Sequence, residues 1–186
     1  KINLSNENIS VHILSSEDRD RKETPQQFLE NTGARIVING GYFNSEKFPS
    51  QHVGLLKTKN RLEEPASHSV YRESNKYFIT RGAFGIKNDG SVDIAWCSTK
   101  KDSIFEWDRP LNNRPGFSND SIPFNTSDYW DVRDAIHAGP VLISKGNIDL
   151  TIIDEVFFNT PIAGVQPRSA VGYTDENELI LMVVDG

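Results

Sequence analysis

Apolar residues in this chain recur in short runs that alternate with polar positions, and turn residues separate the runs. A period of two is typical of strands with one buried face, whereas an amphipathic helix needs a period near 3.6. Two hairpins follow from this pattern. Residues 83–96 carry a turn at Asn88-Asp89-Gly90, and residues 167–184 carry a turn at Asp175-Glu176-Asn177.

Short strands dominate the remaining pattern, and helices are few. A helix is predicted over residues 24–33, because Thr24 can cap it, Pro25 suits its first position and Gly33 suits its end. The other predicted elements are strands at 11–14, 54–57, 77–80 and 141–143, and one helical turn at 128–136. We therefore expect an α+β fold with a mostly β core and a few short helices, in one domain over residues 1–186.

The stretch at residues 35–43 joins three β-branched residues to a pair of glycines. Residues 36–38 are predicted to form a buried strand, because such residues suit a pleat that is covered on both sides. The strand would deliver Asn39 beside Gly40 and Gly41. Because glycine permits both tight turns and close approach, this stretch is either a hairpin turn or one wall of a cleft.

Two long segments have no clear periodic pattern. Residues 58–76 are rich in charged and amide side chains, which predicts a surface excursion. Residues 98–127 contain three prolines and few apolar runs. A loop of this length usually has a function, so it is either a lid carrying Phe105, Trp107 and Phe117 or a surface insertion held by them.

Composition excludes some classes of function. The 186 residues carry a net charge of −6, which argues against nucleic-acid binding because phosphate backbones need clustered Lys and Arg. The single Cys97 cannot form an internal disulfide. The sequence contains no run of about 18 apolar residues, which a membrane-spanning helix would need. The chain begins at Lys1 and shows no signal peptide, so we expect a processed or trimmed form.

Polar residues at strand ends are the candidates for chemistry. Arg168 follows Pro167 and enters an apolar strand, where its guanidinium needs either an internal carboxylate or a bound anion such as phosphate. Asp185 follows the last apolar run and is either an acid, base or metal ligand, or a turn-forming Asp-Gly. His52 and His137 could transfer protons near neutral pH, although isolated histidines are more often structural.

Four segments, taken together in this order and spacing, resemble the phosphodiester glycosidase family. They are Asn39-Gly40-Gly41-Tyr42-Phe43, residues 81–86 (RGAFGI), residues 138–142 (AGPVL), and residues 167–172 (PRSAVG) with 183–186 (VVDG). The resemblance covers roughly residues 35–186. It implies an α+β fold with a large mixed sheet, and hydrolysis of a sugar-1-phosphodiester between the anomeric carbon and the phosphate oxygen.

The resemblance also implies roles for individual residues. Asn39, Gly40, Gly41 and Tyr42 would line the sugar-phosphate pocket, and Arg168 would hold the phosphate. Asp185 would lie at the catalytic centre. The family usually has glycine where this chain has His137, so a pocket residue differs here. Because an imidazole titrates near neutral pH, His137 is also a candidate catalytic residue.

Beyond Asp-Gly, the family continues with a helix and an Asn-Leu-Asp-Gly-Gly-Gly-Ser-Ser motif, whereas this chain stops at Gly186. We therefore expect a C-terminally incomplete domain that is inactive alone. The expected substrate is a phosphorylated glycan or sugar phosphodiester, and the expected location is secreted, periplasmic or at the cell surface. No cofactor is indicated; a divalent cation such as Ca²⁺ would suit an oxygen-rich site, but no ligand set is visible.

Two further hypotheses remain. The chain could be a glycan- or cell-wall-binding module that keeps the fold without the chemistry, as the missing motif and His137 suggest. It could also be an interaction domain of a larger surface protein that binds its partner through residues 98–127.

Overall fold

A computed structural model describes all 186 residues, which form sixteen strands, one α-helix and two 3₁₀ turns. The helix α1 is Pro25–Thr32, and the 3₁₀ turns are Phe124–Thr126 and Pro161–Ala163. The strands are β1 (Ile2–Asn3), β2 (Phe43–Asn44), β3 (Gln51–His52), β4 (Leu56–Thr58), β5 (Arg61–Glu64), β6 (Ser69–Arg72), β7 (Asn75–Phe78), β8 (Arg81–Ile86), β9 (Val92–Lys100), β10 (Ser103–Trp107), β11 (Asp128–Tyr129), β12 (Asp134–His137), β13 (Ile143–Ser144), β14 (Asn147–Ile148), β15 (Arg168–Tyr173) and β16 (Glu178–Val184). The one helix is too short to cross a membrane.

Seven strands form the main sheet, in the order β11-β10-β9-β8-β12-β4-β5. A smaller sheet has the order β1-β16-β15, and three hairpins pair β2 with β3, β6 with β7 and β13 with β14. The α+β class with a mostly β core is confirmed. All strand pairs are antiparallel, so the mixed sheet that the family resemblance implied is not present.

The centre of the main sheet is the predicted hairpin of β8 and β9. All six residues of β8 are buried, and the strand pairs from Arg81 opposite Cys97 to Ile86 opposite Val92. Gly90 in the connecting turn has a φ of 86°, which glycine adopts without steric cost. This hairpin is confirmed.

The two faces of the main sheet bury different cores, as period-two alternation requires. Ala83 and Ala95 lie in one core with Trp130 and Val132. Phe84 lies in the other core, which the smaller sheet covers. Its buried members are Leu56, Phe84 and Ile86 of the main sheet, Leu179 of the smaller sheet, and Ile13, which lies outside both sheets.

The second predicted hairpin and the helix are also confirmed. Strands β15 and β16 pair from Arg168 opposite Val184 to Tyr173 opposite Leu179. The helix has a capping box between Thr24 and Gln27, and Gly33 ends it with a φ of 68°.

Two predicted strands at the N-terminal side are wrong. Residues 36–38 pair with no strand, and Ile36 is 57% exposed. Residues 11–14 also lack a ladder, although Ile13 is buried. Apolar patterning reports a preference for burial, but a strand requires a partner with matching backbone groups.

The predictions for the middle of the chain need three corrections. Residues 128–137 contain β11 and β12 rather than a helical turn. Trp130 and Val132 are both buried, and their spacing of two residues is that of an extended chain. The segment at 98–127 includes the end of β9 and all of β10, which carries Phe105 and Trp107. The excursion at 58–76 contains β5 and β6, and Ile143 in the 141–143 strand is 64% exposed.

Three carboxyl groups lie near one another where β9, β10 and β11 are adjacent. Glu106 pairs with Asp128 across β10 and β11, and Asp93 lies on β9. Burial, with Asp93 as the strongest acidic neighbour, raises the pKa of Glu106 to about 7, while Lys87 opposes the rise. The folded chain therefore holds a proton on Glu106 at pH values where the unfolded chain has released it.

Glu106→Gln should reduce the pH dependence of stability between pH 4.5 and about 7, the usual and folded pKa values of Glu106. Because the folded state binds the extra proton in this window, acidification stabilises the wild type, and the contribution disappears as pH rises through 7. The variant should gain less stability on acidification and be more stable than wild type at neutral pH. Urea unfolding across the window measures this, with exposed Glu46→Gln as the control; equal slopes for wild type and Glu106→Gln would refute it.

Gly85→Ala should destabilise the protein by about 1–3 kcal/mol, as expected for overpacking. A Cβ at Gly85 would lie 2.5 Å from Trp130 Cζ2 and 2.9 Å from Val132 Cγ1. Gly172→Ala is the matched control, because this strand glycine has no atom within 4 Å of its Cβ position. Denaturant unfolding should show a loss for Gly85→Ala and no loss for Gly172→Ala; the same midpoint for both variants would contradict the expectation.

Candidate functional site

The paired glycines at 40 and 41 lie against the end of β12. A Cβ at Gly40 would be 2.8 Å from Ile136 Cδ1, and a Cβ at Gly41 would be 2.5 Å from His52 Cε1 and would overlap the His137 carbonyl oxygen. Neither glycine has a positive φ. The pair is therefore required for close packing, not for a hairpin turn at this point.

Tyr42 follows this close approach and is held beside the turn after β12. Its hydroxyl donates to the Gly139 carbonyl at 3.0 Å, and its ring centroid lies 6.1 Å from that of Phe157. Burial raises the pKa of Tyr42, and the charges of Arg168 and Arg81 oppose the rise. Tyr42 thus lies within electrostatic reach of two arginines from different strands.

Glu155 is the most fully bonded side chain of the region. Its Oε1 accepts from Trp96 Nε1 at 3.0 Å, Val141 N at 2.9 Å and Thr151 Oγ1 at 2.5 Å, and its Oε2 accepts from Gly82 N at 2.7 Å. Burial raises the pKa of Glu155, while these hydrogen bonds oppose the rise. Three of the donors are N–H groups that cannot reverse direction, so both oxygens serve as acceptors.

The turn at Gly139 wraps around this carboxylate. A Cβ at Gly139 would lie 2.5 Å from Glu155 Oε2, and the residue has a φ of 72°. Both facts require glycine. Because the Gly139 carbonyl accepts the Tyr42 hydroxyl, the carboxylate also positions Tyr42 indirectly.

Three arginines surround the segment at residues 155–164 and donate to its backbone carbonyls. Arg72 reaches Val156 O at 2.6 Å and Phe158 O at 3.2 Å. Arg81 and Arg168 bind the other carbonyls: Arg81 Nε to Glu155 O at 3.3 Å, and Arg168 Nη2 to Pro161 O, Ile162 O and Gly164 O at 3.2, 3.0 and 3.3 Å. None of the three forms an ion pair, which makes this region cationic in a chain of net charge −6.

Arg168 is half-buried at the start of β15. The internal carboxylate partner that the sequence left open is absent; Arg168 binds carbonyl oxygens through Nη2 instead. Its Nε and Nη1 atoms remain available for a ligand. Its role in holding a phosphate stays a prediction.

His137 is buried at the end of β12 with its imidazole inside the protein. Leu55 N donates to Nδ1 at 3.1 Å, so Nε2 carries the proton and faces Cys97 Sγ at 3.2 Å. Burial, with the charges of Arg81 and His52, lowers the pKa of His137 to about 3. The imidazole is therefore neutral near pH 7, and both nitrogens already have partners.

Asn39 and Asp185 are exposed. Asp185 directly follows Val184, the strand partner of Arg168, so it lies at the same end of the β15–β16 hairpin. The structure thus brings Tyr42 close to Arg168, leaves Asn39 and Asp185 exposed, and turns the His137 side chain inward. The proposed roles of these residues stay predictions.

Sequence analysis did not single out Arg81 or Glu155. Arg81 is the first residue of a strand that is otherwise apolar or glycine, which was a visible signal. Glu155 lies among Ile153, Val156 and Phe157. Its role depends on contacts with residues up to 73 positions away in sequence, which no local pattern reports.

The site offers no recognisable metal centre. No group of three His, Cys, Asp or Glu side chains is arranged to hold a metal ion.

Comparison with known proteins gives one positive result. A sequence model of the phosphodiester glycosidases matches residues 32–186. No curated protein and no solved structure gave a significant match. Because the matched region includes most of the chain and all of the residues described above, the chain belongs to the phosphodiester glycosidase family.

Proposed function

We propose that this protein is a hydrolase that cleaves the glycosyl–phosphate bond of a sugar-1-phosphodiester, of the N-acetylglucosamine-1-phosphodiester type. Family membership supports glycosidase chemistry in general. The observation that carries the proposal is Arg168, a half-buried guanidinium without a carboxylate partner, close enough to Tyr42 to affect its pKa. A phosphodiester supplies the missing negative charge.

The proposed reaction breaks the bond between the anomeric carbon and the phosphate oxygen. Water adds to the anomeric carbon through an oxocarbenium-like transition state, and the bond electrons leave on the phosphate oxygen. The phosphate gains negative charge during this step, so a positioned guanidinium binds the transition state more tightly than the ground state. A phosphate is a good leaving group, which reduces the need for a strong general acid.

The residue roles in this proposal are those that the family resemblance implies. Arg168 binds the phosphate, and Asn39, Gly40, Gly41 and Tyr42 form the wall that positions the sugar phosphate. Asp185, exposed at the end of the β15–β16 hairpin, is proposed to orient or deprotonate the attacking water.

His137 has no proton-transfer role in this proposal. Its ring is already bonded to Leu55 and Cys97, and its contribution is the backbone against which Gly41 packs.

One observation favours a second candidate, a phosphorylated-glycan-binding module without turnover. A glycosidase normally uses two carboxyl groups beside the scissile bond. Here both oxygens of Glu155 already accept hydrogen bonds, which leaves Asp185 as the one carboxylate among the proposed site residues. Binding of a sugar-1-phosphate by a protein that releases no sugar would favour this candidate.

Arg168→Ala should lower kcat/KM for a methyl phosphodiester of N-acetylglucosamine 1-phosphate by about 10²-fold or more, the usual effect of losing one transition-state donor. Free sugar release measures the rate, and circular dichroism checks folding because Arg168 also bonds three carbonyls. Exposed Arg61→Ala is the control for loss of one positive charge, and its rate should stay near wild type.

Two results, both measured on the full-length protein, would contradict this proposal. Unchanged turnover by a folded Arg168→Ala variant would remove Arg168 from the site. A full-length wild-type protein that releases no sugar from any sugar-1-phosphodiester would refute the hydrolase itself.

A further inference from the structure

Arg81 is a second buried arginine of this region whose hydrogen-bonding capacity is mostly unused. It is 8% exposed, and its backbone is fixed by pairing with Cys97 in the centre of the main sheet. Its Nε donates to Glu155 O at 3.3 Å. The N–H groups of its two Nη atoms have no partner within the chain, and the side chain forms no ion pair.

The Nη atoms of Arg81 reach space that solvent can enter. Only His52, Ser98 and Trp107 have side-chain nitrogen or oxygen atoms that are both fully buried and without a hydrogen-bond partner. The Nη atoms of Arg81 have no partner either, so they are not fully buried. Arg81 is therefore buried overall but exposes its free donors at the surface. Free donors on an otherwise buried side chain are typical of a ligand-binding residue rather than a core residue.

Arg81 keeps its positive charge despite the burial. Burial lowers the pKa of Arg81 to about 10, Glu155 opposes this fall and Arg72 adds to it. The residue is cationic at neutral pH, and the Phe157 ring, whose centroid lies 4.2 Å from the Arg81 Cζ atom, stabilises the charge by a cation–π contact. The charge of Glu155 acts on Arg81, but its carboxylate oxygens are bonded to neutral donors and form no ion pair with the guanidinium.

Arg72 shows what a purely structural arginine looks like in the same region. Its Nε, Nη1 and Nη2 atoms all donate to backbone carbonyls, those of Phe158, Tyr71 and Val156. Arg81 uses one nitrogen for the same segment and leaves two free. Arg72 therefore has a structural role in binding backbone carbonyls, whereas Arg81 has free donors that face outward.

We propose that Arg81 is a second anion-binding residue, whose two Nη atoms bind phosphate oxygens of the substrate together with Arg168. This inference rests on the proposed function for the identity of the substrate. Both arginines donate to carbonyls of the same segment, Arg81 at Glu155 and Arg168 at residues 161–164. Phe157 of this segment lies against the Arg81 guanidinium, and its ring centroid is 6.1 Å from that of Tyr42. A planar guanidinium bound to two phosphate oxygens fixes orientation as well as charge, which a lysine cannot reproduce.

The test is binding of inorganic phosphate and of N-acetylglucosamine 1-phosphate, measured by titration calorimetry on Arg81→Gln, Arg81→Lys and Arg72→Gln. Arg81→Gln should weaken both ligands at least tenfold, and Arg81→Lys should recover only part of the affinity. The affinity of Arg72→Gln for both ligands should stay within twofold of wild type, even if its melting temperature falls as much as that of Arg81→Gln. Each protein is checked for folding by circular dichroism at the temperature of the titration.

A labelling experiment on the wild type covers the case in which Arg81→Gln does not fold. Phenylglyoxal modifies accessible guanidinium groups, and mass spectrometry reports the site. Phosphate should protect Arg81 but not the exposed Arg61. Equal labelling of Arg81 with and without phosphate would overturn the inference.

Three other outcomes are decisive. A folded Arg81→Gln variant that binds phosphate as wild type does would overturn the inference, and so would a wild-type protein that binds neither ligand. A full-length wild-type protein that binds both ligands through Arg81 but cleaves no phosphodiester would support the inference while refuting the proposed hydrolase. The two failures are therefore distinguishable.

Discussion

The buried carboxylate of Glu155 is the interaction on which the region around the proposed site depends. It joins β8 through Gly82, β9 through Trp96 and the turn after β12 through Val141. A buried carboxylate is costly unless hydrogen bonds replace its water, and here four donors do so. Removing any one donor would leave a charged acceptor less satisfied inside the protein, so the surrounding turns are held in one arrangement.

The segment at 155–164 also accommodates a local excess of positive charge in an acidic protein. Arg72, Arg81 and Arg168 all donate to backbone carbonyls of the segment at 155–164. A carbonyl is a neutral dipole, so it accepts these hydrogen bonds without cancelling the positive charge of the arginines. The segment includes Val156, a buried β-branched residue with a φ of 59°. Such a conformation is strained and persists only when contacts on both sides hold it. The Arg72 bond to the Val156 carbonyl is one of these contacts.

Local chemistry explains which sequence predictions succeeded. The two hairpins and the helix were predictable because turn residues, caps and alternation act over a few neighbouring residues. The strand at residues 36–38 was wrong, since its apolar pattern could not reveal that no strand lies beside it. The strands at 128–137 were missed because each is short and stabilised by partners from distant parts of the chain.

By itself, the sequence determined the β-rich class, the two hairpins, the family and the expectation that Arg168 would need an anionic or polar partner. Only the tertiary structure decided that Gly40 and Gly41 serve close packing, that the His137 ring faces inward and that Arg81 lies against the segment that carries the buried Glu155 carboxylate. The physical reason is range. Propensity and turn geometry act between neighbours, whereas the burial of a charge depends on donors that folding brings together from remote strands.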